Sequence, residues 1–266
     1  MKTLDGGNCA CLIIVSDVHL LHPTDDKSKI FLEFLKTLPP CETLLLAGDI
    51  FDFIFARKSF FYEYWSEVFE ALAQVKNKGI RVVFLEGNHD FGFDFNTHPK
   101  IQKCLNQSLD GFWRCTHPLL GNIQVAHGDN LICPKNYFKF RAVVKSKWFQ
   151  WIAGLFPGVW LHWFFLKVAS GSRAKDRYRP LPPERFSQRL QDHSQWFGFP
   201  NSGVWILGHV HLFIKCAWSG VQLFCGPSWN QAPSYLLISP SGQCERVFMK
   251  GSGVETYFPS GALGIK

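Results

Sequence analysis

The chain has 266 residues, 47% apolar and 18% charged, which excludes global disorder and allows a sizeable core in one large domain or a domain with a substantial insertion. Its net charge of +7 is unevenly placed: residues 135–185 hold eleven Lys or Arg against two acids, a local +9, and the remainder sums to −2. Such a segment is either a solvated basic face or a surface drawn to phosphate groups on lipid, nucleotide or nucleic acid.

The opening MKTLDGGNCACLIIV has one lysine, then acidic and Gly residues before a short apolar run. It reads as the approach to a first strand at 11–15, not as a secretory signal. SKIFLEFLKTL (28–38) has helical spacing and stops at Pro39-Pro40, and TLLLA (43–47) is a second strand. SFFYEYWSEVFEALAQVKNKG (59–79) predicts one long amphipathic helix capped by Ser59 and ended by Gly79, followed by a third strand at 80–86. Strands separated by helices imply parallel pairing. In the second half NIQVAHG, GVWILGH, LFIKCAW, VQLFCG, SYLLIS and CERVFM follow closely enough for hairpins. The expected architecture is α/β, two stacked sheets with outer helices. Nine cysteines without a CxxC spacing read as reduced thiols.

Residues 148–165, WFQWIAGLFPGVWLHWFF, hold four of the ten tryptophans. Pro157-Gly158 splits the run, Gln150 and His162 interrupt it, and Lys145, Lys147 and Lys167 flank it. Each half has about nine residues where a membrane span needs about 20. Two short helices joined at the FPG turn are expected. They are either a buried core pair or a lid whose apolar face meets acyl chains or the bilayer boundary, with Trp at headgroup level and Lys toward anionic lipid.

Five apolar strands end in Gly, Asp, Asn or His: SDVH (16–19), AGDIFD (47–52), EGNHD (86–90), AHGD (126–129) and LGHVH (207–211). Strand ends and the loops after them line sites in sheets of this kind. They cluster Asp17, His19, Asp49, Asn88, His89, His127, His209 and His211. A carboxylate–imidazole–amide set without thiolate suits Mn²⁺, Fe or Zn²⁺ better than Ca²⁺. Seven ligands fit two ions with one carboxylate shared. Two ions about 3.5–4 Å apart can clamp a phosphoryl oxygen and lower the pKa of a bound water.

The series DxH, GDxxD, GNHD, HGD, GHxH, running from 16 to 211, resembles the calcineurin-like metallophosphoesterase superfamily. The resemblance implies a four-layer αββα sandwich of two mixed sheets and a dinuclear metal-dependent phosphoester or pyrophosphate hydrolase. It implies that Asp17, His19 and His211 hold one ion, that Asp49 bridges, and that Asn88, His127 and His209 hold the other, the ions being most simply Mn²⁺. His89 would sit at the phosphate as proton donor or charge stabiliser, making His89, Asn88 and Asp49 the catalytic set. Asp52, Asp90 and Asp129 would orient these groups or merely shape turns.

Between HGD and GHxH, the segment from NYFKFRAVV to VASGSR is similar to the helical insertion of the UDP-2,3-diacylglucosamine pyrophosphatases of lipid A biosynthesis, in which it caps the site around the acyl chains. That resemblance makes 135–195 a helical lid, 1–134 and 196–249 the core, and 250–266 a tail. It implies a lipid-linked UDP-sugar as substrate, and Tyr137, Arg141, Ser170, Ser172, Arg173 and Lys175 as substrate-binding. It also implies a cytoplasmic protein held peripherally on the inner membrane face. The family usually carries Arg where this chain has His89. A diesterase or phosphatase acting on another lipid or small phosphoester would use a histidine there to protonate an alkoxide. A nucleic-acid enzyme would explain the basic segment, but aliphatic residues between the rings favour acyl chains over stacked bases. A non-catalytic scaffold would have lost ligands that this chain keeps, and no obligate protein partner is evident.

Overall fold

In the computed structural model, residues 2–93, 98–133, 135–175, 188, 190, 192, 202–211, 213–218, 220–230, 232–249 and 254–257 are described. The first half runs β1 (Lys2–Asn8), β2 (Leu12–Val15), α1 (Asp26–Lys36), β3 (Thr43–Leu46), β4 (Ile54–Phe55), α2 (Ser59–Tyr64), α3 (Ser66–Asn77), β5 (Arg81–Leu85), β6 (Asp90–Phe91), α4 (Pro99–Cys104), β7 (Gln107–Leu109), β8 (Gly111–His117) and β9 (Gly121–Ala126). Helices α5 (Asp129–Ile132), α6 (Lys135–Val144), α7 (Lys147–Leu155) and α8 (Gly158–Lys175) follow. The chain then continues through β10 (Gly203–Leu207), β11 (Ile214–Trp218), β12 (Val221–Cys225), β13 (Ser234–Ile238), β14 (Cys244–Phe248) and β15 (Val254–Tyr257).

Alternation along the apolar runs divides their side chains between two cores. Leu12, Ile14, Leu45, Val83 and Leu85 face Trp113, Ile123, Val125, Val204, Ile206 and Phe224 of the opposite sheet. Ile13, Val15, Leu44, Leu46, Val82 and Phe84 face the outer helices. The seven-stranded sheet has the order β15-β14-β13-β2-β3-β5-β7, and the six-stranded sheet the order β1-β8-β9-β10-β12-β11. Both are mixed: β2, β3, β5 and β7 pair in parallel while β13 joins β2 antiparallel, and β9, β10 and β12 pair in parallel while β8 and β11 run against them. The architecture is the expected two-sheet α/β arrangement. On the far face of the six-stranded sheet, Leu131 and Leu190 pack with Phe112, Trp205, Leu207 and Leu223. Eight described cysteines are free thiols.

The sequence reading names none of β4, β6, α4, β7 and β8, and three further elements depart from it. The helix expected over 59–79 breaks at Trp65, whose indole is buried against Phe51 at 5.1 Å and whose backbone leaves helical geometry to put it there. Ser59 makes no cap; Lys58 takes that position without a side-chain bond. Helix α1 starts two residues early because Asp25 caps it, its carboxylate accepting from Ser28 N at 2.6 Å. A strand precedes the expected first one: polar β1 pairs in parallel with β8 through an irregularity at Asp5–Asn8.

Ser146 caps α7 through Phe149 N, and α7 stops at Phe156 before Pro157, so two helices meet at the FPG turn as expected, but only the first is short: α8 runs for 18 residues. Helix α8 docks on α2, where a Cβ on Gly158 would lie 2.6 Å from that of Phe60. Phe165 stacks on Phe53 at 4.3 Å. Among the described residues, no helix is long and apolar enough to cross a membrane.

Candidate metal centre

The C-terminal ends of β2, β3 and β5 lie side by side in one sheet, and those of β9 and β10 in the other. The loops after them converge. Asp17 N donates to Gly48 O at 3.1 Å and His19 N to Asp49 O at 3.0 Å, locking the first two loops together. Asp17 reaches the second sheet, both its carboxylate oxygens accepting from His209 N at 3.0 Å. The residues outside glycine with positive φ are Asp17, His19, Asp49, His209 and His211 among the described ones. Strain of that kind persists only where surrounding structure imposes it, and here it falls wholly on predicted ligands.

Glycines permit the close approach. A Cβ at Gly87 would sit 2.1 Å from Asp49 Oδ1, and one at Gly208 would sit 2.8 Å from Asp17 Oδ2. The sequence GN and GH pairs are thus steric requirements of the cluster.

Three sets of donor atoms lie within 4.8 Å of one another: Asp17, His19 and His211; His19, Asp49 and His89; and Asp49, His127 and His209. Asn88 joins the last, its Oδ1 lying 3.1 Å from His127 Nε2 and 3.0 Å from His209 Nδ1. Asp49 therefore stands between two half-sites. Its Oδ2 is 3.9 Å from His19 Nε2 and 3.3 Å from His127 Nε2. His127 Nδ1 donates to Ala47 O at 3.1 Å, which fixes the tautomer and turns Nε2 toward the cluster. His89 is aimed likewise: its Nδ1 donates to Asp52 O at 2.8 Å, and its backbone N–H donates to Asp49 Oδ1 at 2.9 Å.

Burial works against the charge on Asp49, but His127, then His89, hold its carboxyl well below the usual range. His127 is driven up to about 10, Asp49 outweighing the cost of burial. Burial, reinforced by the charge of His127, brings His209 down to about 3, and burial brings His211 down to about 4. His209 and His211 are thus neutral, the form that binds cations, whereas His127 holds a proton that an ion at its Nε2 would have to displace. Both ring nitrogens of His19 and the Oδ2 of Asp49 are buried without a hydrogen-bond partner. A buried imidazole and a carboxylate oxygen without hydrogen bonds are costly unless a cation meets the lone pairs they carry, so the donor set fits divalent metal ions.

The residues expected to bind substrate lie on α6 and α8. Tyr137 and Arg141 direct their polar groups to core carboxylates: Tyr137 Oη donates to Asp129 Oδ2 at 2.9 Å and Arg141 Nε to the same oxygen at 2.6 Å. Burial would raise Asp129, yet Arg141 and then His127 bring it down to about 2. Ser170, Ser172, Arg173 and Lys175 lie on the last turns of α8, with side chains outside the described residues. Sequence reasoning gave no role to Cys133, whose Sγ lies 3.0 Å from His209 Nε2, or to Asn230, whose Nδ2 is 3.0 Å from His211 Nδ1. Neither belongs to a motif that a metal-ligand search singles out. Asp90, expected to orient the ligands or to shape a turn, accepts from Asp49 N at 3.0 Å, Gly87 N at 2.8 Å and Ile50 N at 2.7 Å.

Residues 12–213 match the family described as calcineurin-like phosphoesterase. Among curated proteins, the UDP-2,3-diacylglucosamine hydrolase of Vibrio vulnificus is 30% identical over 206 residues, spanning 75% of this chain and 80% of that one. The enzyme of that name from Vibrio parahaemolyticus is 33% identical over 176 residues, 64% of this chain and 69% of its own. That from Aeromonas hydrophila is 25% identical over 247 residues, 87% of this chain and 95% of its own. The matched span carries all five strand ends that build the histidine–carboxylate cluster, and the chain belongs to the calcineurin-like phosphoesterase family as a metal-dependent phosphoester hydrolase.

Proposed function

We propose that the chain hydrolyses the pyrophosphate of UDP-2,3-diacylglucosamine to UMP and 2,3-diacylglucosamine 1-phosphate, by water attack at the α-phosphorus. Asp17, His19 and His211 would hold one ion, Asn88, His127 and His209 the other, with Asp49 shared, and Mn²⁺ suits the mixed oxygen–nitrogen set. Bound divalent ions supply charge neutralisation and a water of lowered pKa. Asn88 orients the phosphate, and His89, held through Nδ1 by Asp52 O, presents its other ring nitrogen. The departing sugar phosphate has a second pKa near 6 and needs no proton donor.

The observation that carries the substrate is the outer face of residues 135–175. Trp148, Trp151, Trp160 and Trp163 are each about two-thirds exposed, joined by Phe140, Val143, Leu155, Phe156, Val159 and Phe164. Apolar surface on that scale, near a phosphoesterase centre, fits acyl chains or a bilayer boundary. Residues 130–175 contain eight Lys or Arg and no acid; Arg141 and Lys145 pair with core carboxylates, and the charge of the other six suits anionic lipid. We take 135–195 as the lid, 1–134 and 196–249 as the core and 250–266 as a tail, with the protein docked on the cytoplasmic face of the inner membrane. Ser170, Ser172, Arg173 and Lys175 remain the proposed contacts to the sugar phosphate.

The test is turnover of UDP-2,3-diacylglucosamine with Mn²⁺ and with EDTA in oxygen-18 water. Metal-dependent cleavage with the label in UMP is expected. Label in the lipid phosphate overturns attack at the α-phosphorus. No turnover, with activity on an aryl phosphodiester, favours the second reading that His89 raises, a diesterase whose histidine protonates an alkoxide.

The membrane face has its own expected result. Trp151→Ser with Trp160→Ser should weaken binding to vesicles containing phosphatidylglycerol about 30-fold, taking roughly 1 kcal/mol for each interfacial ring. Cosedimentation measures it. Unchanged partitioning would place these rings elsewhere than at the bilayer.

A further inference from the structure

Tyr137, Arg141 and Lys145 recur every four residues along α6 and the residue that follows it, whose N–H still bonds Arg141 O, so they project to one side. Each meets a core carboxylate. Tyr137 Oη and Arg141 Nε both donate to Asp129 Oδ2, at 2.9 and 2.6 Å. Arg141 Nη2 also donates to Asp110 Oδ1. Lys145 Nζ donates to Glu86 Oε2 at 2.7 Å and stands 3.5 Å from Asp110 Oδ1. Asp129 and Glu86 are buried, and Arg141 and Lys145 are nearly so.

The core ends of this ladder are not placed at random. Asp129 follows His127 across Gly128, and Glu86 precedes Asn88 across Gly87. The chain leading into α6 touches the third residue of the same half-site, Cys133 Sγ lying 3.0 Å from His209 Nε2, and the Tyr137 and His209 rings are 6.4 Å apart. Asn88, His127 and His209 are thus each tied to α6 or its approach. We propose that this ladder makes seating of α6 and filling of the Asn88–His127–His209 half-site a single coupled event, with Arg141 and Lys145 as positioning residues. This rests on the reading of those three residues as holders of one ion.

The physical ground is the cost of an unpaired buried charge. If α6 lifts, Asp129 and Glu86 lose their cations inside the protein, and removing one partner of a buried pair is strongly destabilising. The loops bearing His127 and Asn88 must then rearrange to admit water. Linkage makes the effect reciprocal: an ion in this half-site favours a seated α6, and a seated α6 raises affinity for that ion. The helix that leads into the aromatic face therefore reports on the metal centre, and a substrate engaging that face acts on the centre through it.

The experiment uses the full chain, stripped of metal and titrated with Mn²⁺, with binding followed by electron paramagnetic resonance and α6 followed by hydrogen–deuterium exchange. The wild type should show two binding steps, with exchange in 135–145 slowed as one of them fills. Arg141→Gln should weaken that step by about tenfold or more, the range for lost outer partners of a ligand, and leave the other within about twofold. Tyr137→Phe keeps every charge pair and loses one hydrogen bond; it should weaken the same step less, and it carries the test if Arg141→Gln does not fold. Mn²⁺ without effect on exchange in α6, or equal weakening of both steps, overturns the proposal. His127→Ala and His211→Ala separate the two readings: each should delete a different step. If His127→Ala leaves both steps intact, the ligand assignment has failed.

Discussion

Asp49→Ala is expected to lower kcat/KM by about a thousand-fold or more, equivalent to roughly 4 kcal/mol of transition-state stabilisation. Asp49 belongs to two of the three donor clusters, and its Oδ2 faces His19 on one side and His127 on the other. Its Oδ1 accepts from the His89 backbone, so the substitution also frees the residue proposed to face the phosphate. Losing one histidine would leave the opposite half-site intact, whereas losing Asp49 strips both of a shared carboxylate and removes the charge that holds His127. Steady-state assays across a range of Mn²⁺ concentrations measure the effect. Excess metal should recover little of it, because the missing group fixes the relation between the two half-sites as well as their affinity. Retention of more than about a tenth of the activity would sink the shared-carboxylate account.

The cluster was legible because its chemistry is spelled in residue types. Few roles demand Asp17, His19, Asp49, Asn88 and three further histidines at strand ends, so the pattern survives without coordinates. Strands such as LIIV and TLLL were legible because burial on both faces leaves a continuous apolar run. What escaped depends on partners far along the chain. KTLDGGN looks like a polar leader, and only pairing with β8 makes it a strand. The break at Trp65 follows from where Phe51 sits, which no periodicity encodes. The resemblance marks Arg141 as substrate-binding; its pairing with Asp110 and Asp129, 31 and 12 residues away, is written in no local pattern. Helix α7 was half legible: the sequence leaves a buried pair and an outward apolar face both open, and Trp148, Trp151 and Leu155 are exposed while Gln150 and Ala153 are buried. That arrangement inverts the ordinary one of a surface helix, whose apolar stripe faces the core.

Asp90→Ala is expected to destabilise the metal-free protein by about 3–5 kcal/mol, with activity falling alongside. The side chain is fully buried, and its carboxylate gathers the backbone of two site loops. Asp49 N at 3.0 Å and Gly87 N at 2.8 Å donate to Oδ1, and Ile50 N at 2.7 Å donates to Oδ2. Alanine would leave those amides without an acceptor, each costing roughly 1–3 kcal/mol, less in sum because neighbours relax together. Asparagine preserves the shape but turns an NH₂ toward backbone donors, so Asp90→Asn should recover only part of the loss. Burial, then the charge of Asp49, raises Asp90 to about 7, so the group bears its cost for the sake of those amides. Urea unfolding of the metal-free chain measures the difference directly. A loss below about 1 kcal/mol would mean that water enters and satisfies the amides. The strained backbone at Asp49 would then have to be held by its other ties, His19 N on its carbonyl and His89 N on its carboxylate.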